Sequence, residues 1–241
     1  MPCHQGNTMQ TNTHLTSKIQ IKTVSRTVAA LTLGAALFGA TSAMAESSPS
    51  FSELSALWWK WALETPASKN PLSDATGKYA SVNQPLEDIF FLAGNQGGTT
   101  TRTITIHEGK ALFFPIANVF DVEDGYALPS GDLVFSVPHP LQVARDLVST
   151  DIATVSGMVC TVDAKNIAIT SKNFEQSVPF ILLEPSDNIL GVPAGIYFPA
   201  VDAGYYLLLK PLTKGNHIIH FASSNAAFGT TTDVTYNITV K

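Results

Sequence analysis

The sequence predicts a mainly β protein: an antiparallel β-sandwich, immunoglobulin-like or jelly-roll-like, with an N-terminal helix and one inserted helix near residues 140–152. Three observations carry this expectation. From residue 89 onward, short runs rich in Val, Ile, Thr, Phe and Tyr recur, several of them alternating apolar with polar. That two-residue period belongs to half-buried strands. Turn chemistry separates the runs, as in Gly94-Asn95-Gln96-Gly97-Gly98, Pro185-Ser186-Asp187-Asn188 and Thr213-Lys214-Gly215-Asn216. Only two segments have the 3-4 spacing of an amphipathic helix, so the regular strand–helix alternation of a βαβ sheet is missing.

In chain order, the first feature is a secretory leader. Lys18, Lys22 and Arg26 form a basic region, Val28–Ala40 an uncharged apolar run, and Ala43-Met44-Ala45 an A-x-A signal that places cleavage after Ala45. The run is shorter than the ~20 apolar residues a permanent span needs. A start at Met9 would give a more ordinary n-region. Residues 46–241 are then the mature chain, a single β-sandwich domain with a helical lead-in at 50–65, working in the periplasm or outside the cell. Loss of the three basic residues lowers the Lys and Arg count from 14 to 11 against 19 Asp and Glu, and shifts the net charge from −5 to −8. An acidic chain without a basic cluster is ill suited to nucleic acid or anionic membranes. No mature stretch is long enough for a stable membrane span. The expected partner is an extracytoplasmic ligand or protein.

Ser50-Phe51-Ser52-Glu53 reads as a capping box, with Ser50 at N-cap and Glu53 at N3, and Pro66 ends the helix. Phe51, Leu54, Leu57, Trp58 and Trp61 make one apolar stripe. Trp59 falls off that stripe and needs a second partner: another part of the fold, another chain or a ligand. Expected strands follow at Ile89–Leu92, Thr101–His107 and Ala111–Val119, the last two joined by a hairpin-type turn at Glu108-Gly109. Leu133–Val137 is a further short strand. The second helix presents Leu141, Ala144, Leu147 and Val148 on one face. The remainder reads as a meander: Val155–Val162, Ile167–Thr170, Val178–Leu183, Gly204–Lys210, His217–Ala222 and Thr232–Val240.

Cys3 leaves with the leader, so Cys160 is the one mature cysteine and no internal disulfide forms. In the alternating run Met158-Val159-Cys160-Thr161-Val162 it reads as a buried core thiol.

Three stretches carry a resemblance. They are the Trp-rich helix leading to Asn70-Pro71, Asp74 and Gly77; residues 90–119; and the run from Pro193 to Phe221 followed by residues 233–240. Together they resemble a group of small exported bacterial proteins of uncharacterised function. Members of that group often carry a Cys after the TG turn and another in the TRT-x-T strand, a pairing the resemblance makes available for a bridge. In this chain those neighbourhoods read GKYAS and TRTITI, without Cys. The resemblance implies a fold and a compartment and carries no catalytic residue. The segment Leu212–Ile219 also resembles the approach to a late strand of immunoglobulin-type sandwiches, a fold that hosts many functions.

Chemistry-bearing constellations are sparse. His217 and His220 are three apart on an expected strand and so face opposite sides, which argues against a joint metal site. Asp121, Glu123 and Asp124 crowd one loop. They read either as a solvated acidic loop or as oxygen ligands for Ca²⁺, the one cofactor the composition suggests. No nucleophile elbow, phosphate loop or β-lactamase motif occurs. The leading expectation is a non-catalytic binding or interaction module, with Trp59, Tyr205 and Tyr206 as candidate ligand contacts. Its rivals are a hydrolase or carbohydrate-active enzyme built on Asp121, Glu123, Asp124 and His139, and a calcium-stabilised structural protein.

Overall fold

The structure, a computed structural model, describes residues 48–122, 126–127, 133–134 and 141–241. The leader, Glu123, Asp124 and His139 lie outside the described residues.

Helix α1 (Phe51–Glu64) begins at the expected capping box: Ser50 Oγ accepts from the Glu53 backbone, and the Glu53 carboxylate accepts from the Ser50 backbone. Thr65 is extended and precedes Pro66, which ends the helix. The helix buries Leu54, Trp58, Trp59, Trp61 and Leu63, each large apolar side chain contributing about 1.5–3 kcal/mol. Helix α2 (Leu141–Ile152) buries Ala144, Val148 and Ile152, whereas Leu141 and Leu147 face outward. The buried stripe therefore runs at i, i+4, i+8 and is narrower than the sequence face suggests.

The strands are β1 (Ile89–Phe91), β2 (Gly98–Ile106), β3 (Ala111–Val122), β4 (Tyr126–Ala127), β5 (Leu133–Val134), β6 (Val155–Val162), β7 (Lys165–Asn166), β8 (Phe174–Gln176), β9 (Phe180–Glu184), β10 (Gly195–Leu209), β11 (Gly215–Asn225) and β12 (Thr230–Val240). One sheet runs β1-β3-β10-β8, with β9 also on β10; the second runs β2-β12-β11-β6-β7. The two sheets share a core to which Leu112, Phe114 and Leu207 contribute from the first, and Ile104, Cys160, Ile219, Phe221 and Ile238 from the second. The result is mainly β and consistent with a sandwich. Among the described strands pairing is antiparallel except at β1–β3 and β2–β12, which are parallel.

The expected hairpin across Glu108-Gly109 does not form. β2 and β3 lie in different sheets, β2 in register with β12 from Gly98↔Thr232 to Ile106↔Val240. β3 is buried on both faces, so it occupies a central place between helix and second sheet rather than returning beside its neighbour in sequence. The meander is likewise partial: β9–β10 and β11–β12 are sequential partners, while β10 to β11 switches sheets. Residues 167–170 are not a strand, although Ile167 and Ile169 pack on the core.

A bulge between Tyr205 and Tyr206 shifts the β3 register past Ile116. On one side of the first sheet, Phe113, Ala200 and Tyr206 meet α1. Toward the other, Val119, Val201 and Ala203 meet α2 beside the second sheet. Cys160 is buried, and loss of solvent pushes its thiol up to about 12, so it is an inert core group. No described helix is long and apolar enough to cross a membrane.

Candidate ligand cleft

Four chain segments converge on a cleft of about 410 Å³: α1, the 94–97 turn, the middle of β3, and the tip of the β11–β12 hairpin, with Ile189 and Leu190 closing one side. Such a volume suits a small molecule. Its aromatic wall is Trp58, Trp59 and Phe120. Trp58 is fixed by its indole N–H, which donates to Leu92 O at 2.9 Å. Trp59 packs its ring against Phe120 at 4.4 Å and edge-on to Trp58 at 5.1 Å. The partner that Trp59 lacks on its own helix is thus Phe120, with the cleft beside it. Phe228, 56 % exposed, stands at the hairpin end of the same cleft.

Polar groups on the wall have set directions. Asn118 donates through Nδ2 to the Tyr206 hydroxyl at 3.2 Å, and that hydroxyl donates to Asp202 Oδ2 at 2.5 Å. Gly204 makes the arrangement possible: a Cβ there would come within 2.7 Å of both Asn118 Cβ and the Tyr206 ring. The absent side chain lets the Tyr206 ring lie along its own strand and reach Asp202. With Nδ2 engaged, Asn118 Oδ1 bonds nothing among the described residues and remains an acceptor. Asn225 and Gln96 are set the other way. Asn225 Oδ1 accepts from Thr154 Oγ1 and from the Ala227 and Phe228 backbones, and Gln96 Oε1 accepts from Ser73 Oγ at 3.3 Å. Their NH₂ groups bond nothing among the described residues and remain donors. Ser223 donates to Ile116 O at 2.8 Å, and Thr230 and Thr232 add hydroxyls. No ionisable side chain lines the cleft among the described residues.

Two buried carboxyls among the described residues lack full partners. Asp202 is completely buried, and its Oδ1 has no hydrogen bond. Desolvation pushes it up to about 6, against the Tyr206 hydroxyl, the Ser55 and Ser177 hydroxyls and the Trp59 indole, which favour the ion. Trp59 Nε1 lies near enough to act on Asp202 yet closes no well-formed hydrogen bond. Glu184 is 4 % exposed with neither oxygen bonded, and burial followed by the charge of Glu64 raises it to about 7. Glu64 itself is occupied: it takes Lys60 Nζ at 2.6 Å and the Leu183 N–H at 3.1 Å, while Lys60 also donates to Ile181 O at 2.6 Å. This ion pair covers main-chain groups of β9 that would otherwise be open to pairing.

The sequence candidates separate in space. Trp59 is on the cleft wall at 7 % exposure. Tyr206 lies one step behind it, fully buried, bonded to Asn118 and Asp202. Tyr205 points to the other side and packs edge-on to Phe174 at 5.5 Å. Asp121, half-buried near the end of β3, is the one member of the acidic group within the described residues. His217 and His220 turn apart as expected, to Asp163 at 2.8 Å and Asp233 at 3.1 Å. Asn118, Asp202 and Glu184 carry no motif. Their one sequence signal is parity: Asp202 shares its strand face with Ala200 and Tyr206, both buried.

Comparison with family models, curated proteins and solved structures finds no match to this chain.

Proposed function

We propose that this chain is an exported β-sandwich binding module, acting in the periplasm or outside the cell, and that the cleft between α1 and the β11–β12 hairpin holds its ligand. The observation that carries this reading is the lining: an aromatic wall from Trp58, Trp59 and Phe120 beside amides whose donor or acceptor ends are fixed from behind. Pockets that hold small molecules combine apolar walls with a few placed polar groups in this manner. Neutral lining residues suit capture of an uncharged ligand.

The mature chain, screened by thermal shift and tryptophan emission against neutral saccharides, short peptides and uncharged aromatic compounds, is expected to give at least one saturable response. Phe228→Ala, which removes an exposed ring at the rim, should weaken that response about tenfold or more, the cost of losing one ring contact, and leave the melting temperature in place. A response indifferent to both Phe228→Ala and Asn225→Asp would move the binding site elsewhere.

A further inference from the structure

We infer that the ligand of this cleft is a neutral saccharide, a polyhydroxylated ring held against the Trp59–Phe120 wall; the inference rests on the proposal that the cleft binds a ligand at all. The polar atoms supply the argument. Asn225 offers a fixed NH₂ donor, because its oxygen is consumed by two backbone N–H groups and the Thr154 hydroxyl, and Gln96, whose oxygen faces the Ser73 hydroxyl at 3.3 Å, offers a second. Asn118 offers an acceptor, because its NH₂ is held by the Tyr206 hydroxyl and its Oδ1 bonds nothing among the described residues. An apolar ligand would leave all three unsatisfied, at a cost of about 1–3 kcal/mol for each one it buries.

A hydroxyl both donates and accepts, so neighbouring hydroxyls on one ring can answer donors and an acceptor in the same cleft. The Thr230 and Thr232 hydroxyls extend this neutral polar side. The C–H faces of such a ring are apolar and stack on aromatic walls. An anionic sugar fits less well, since no cation lines the cleft among the described residues and Asp202 lies behind Asn118 and Tyr206. Bringing a carboxylate there without a partner carries a large desolvation cost.

The test uses the mature chain with short neutral gluco-, manno- and N-acetylglucosamine oligosaccharides, their uronic-acid counterparts, and a set of neutral peptides, read by tryptophan emission and calorimetry. Asn225→Asp keeps the Oδ1 that the Thr154 hydroxyl and backbone N–H groups need and replaces the outward donor by an acceptor. Gln96→Glu does the same at an exposed position. The expected result is saturable binding of a neutral oligosaccharide, weakened about three- to tenfold by each variant, with unchanged melting temperature and no binding of the uronic acids. Neutral saccharides that bind no better than uronic acids, or binding indifferent to both variants, overturns the assignment. If peptides bind and saccharides do not, the saccharide class falls and the cleft stands. If neither class binds, the saccharide class falls, and the cleft proposal falls with it when uncharged aromatic compounds give no response either.

Discussion

Two buried polar regions of this molecule are built in opposite ways. In the first, Arg102 is 1 % exposed at an inward position of β2 and is bonded at every nitrogen. Nε donates to Asp74 O at 2.6 Å, Nη1 to Ala93 O and the Tyr236 hydroxyl at 2.7 Å each, and Nη2 to Leu72 O at 3.4 Å. Tyr236 in turn exchanges hydrogen bonds with both the N–H and the C=O of Ala93. Burial opposes ionisation of the nearby Asp74, but the Tyr79 and Thr76 N–H groups, the Thr76 hydroxyl and the Arg102 charge outweigh it and hold that carboxyl below the usual range. In the second region Asp202, Trp59 and Glu184 are equally buried and keep unbonded oxygens or an unbonded N–H. A saturated network fixes loops to a strand, whereas an unsaturated one stores a cost. Such costs collect where a protein does something other than hold itself together. Here Trp59, on the cleft wall, belongs to the unsaturated set.

The largest expected effect breaks the first region. Arg102→Met removes the group that ties the carbonyls of Leu72, Asp74 and Ala93 together; Ala93 O keeps the Tyr236 hydroxyl, while the other two lose the bond Arg102 gives them. The expected loss is about 3–5 kcal/mol, read as a drop in the denaturation midpoint. The loop carrying Gly77 would loosen with it. That glycine has φ +94° and sits so close to β2 that a Cβ would fall 2.7 Å from Ile104 Cγ2. A loss below about 1 kcal/mol, within the range of surface substitutions, would show that the saturated network is not what anchors this loop.

What could be read from the sequence follows the range of the interactions. The capping box, the Pro66 stop and the strand Val155–Val162 depend on residues within a few positions of one another, and all three stand where the residues put them. Sheet membership depends on partners far away. Glu108-Gly109 looks like a hairpin turn, yet Ile106 pairs with Val240 and Ala111 with Ile89. Arg102 was within reach, since it shares its strand face with Ile104 and Ile106 and alternation alone aims it inward. Trp59 stands out in the sequence because it breaks its helix's stripe. Asn118, Gln96 and Asn225 do not, because an amide acquires its direction from partners that only the folded chain brings together.

The second region can be probed by pH. Glu184 titrates near pH 7 in the folded chain rather than near the ordinary ~4.3. The folded state therefore holds its proton longer, and the stability this confers is complete below about pH 4 and is lost as pH rises through 7. Glu184→Gln keeps the shape without the charge, so its advantage over the parent should grow across that window. Amide exchange at Ile181–Glu184, the strand latched by Lys60 and Glu64, should quicken with pH in the parent beyond its intrinsic rate and not in the variant. Equal pH dependence in both chains would mean that Glu184 finds a partner when ionised.

Asp202 gives the smaller and more informative effect. Its carboxyl is raised to about 6 from an ordinary value near ~3.9, so its contribution is present below about pH 4 and lost as pH rises through 6. Asp202→Asn cannot ionise, yet its Oδ1 still accepts the Tyr206 hydroxyl. The direction of the Asn118 amide, and with it the acceptor offered to the cleft, is therefore preserved. The variant should match the parent near pH 4 and exceed it in melting temperature above pH 6, with ligand affinity unchanged at the lower pH. Stability curves that stay parallel from pH 4 to 7 would show that Asp202 carries no uncompensated charge. Affinity lost at pH 4 would show that it does more at the cleft than hold Tyr206 in place.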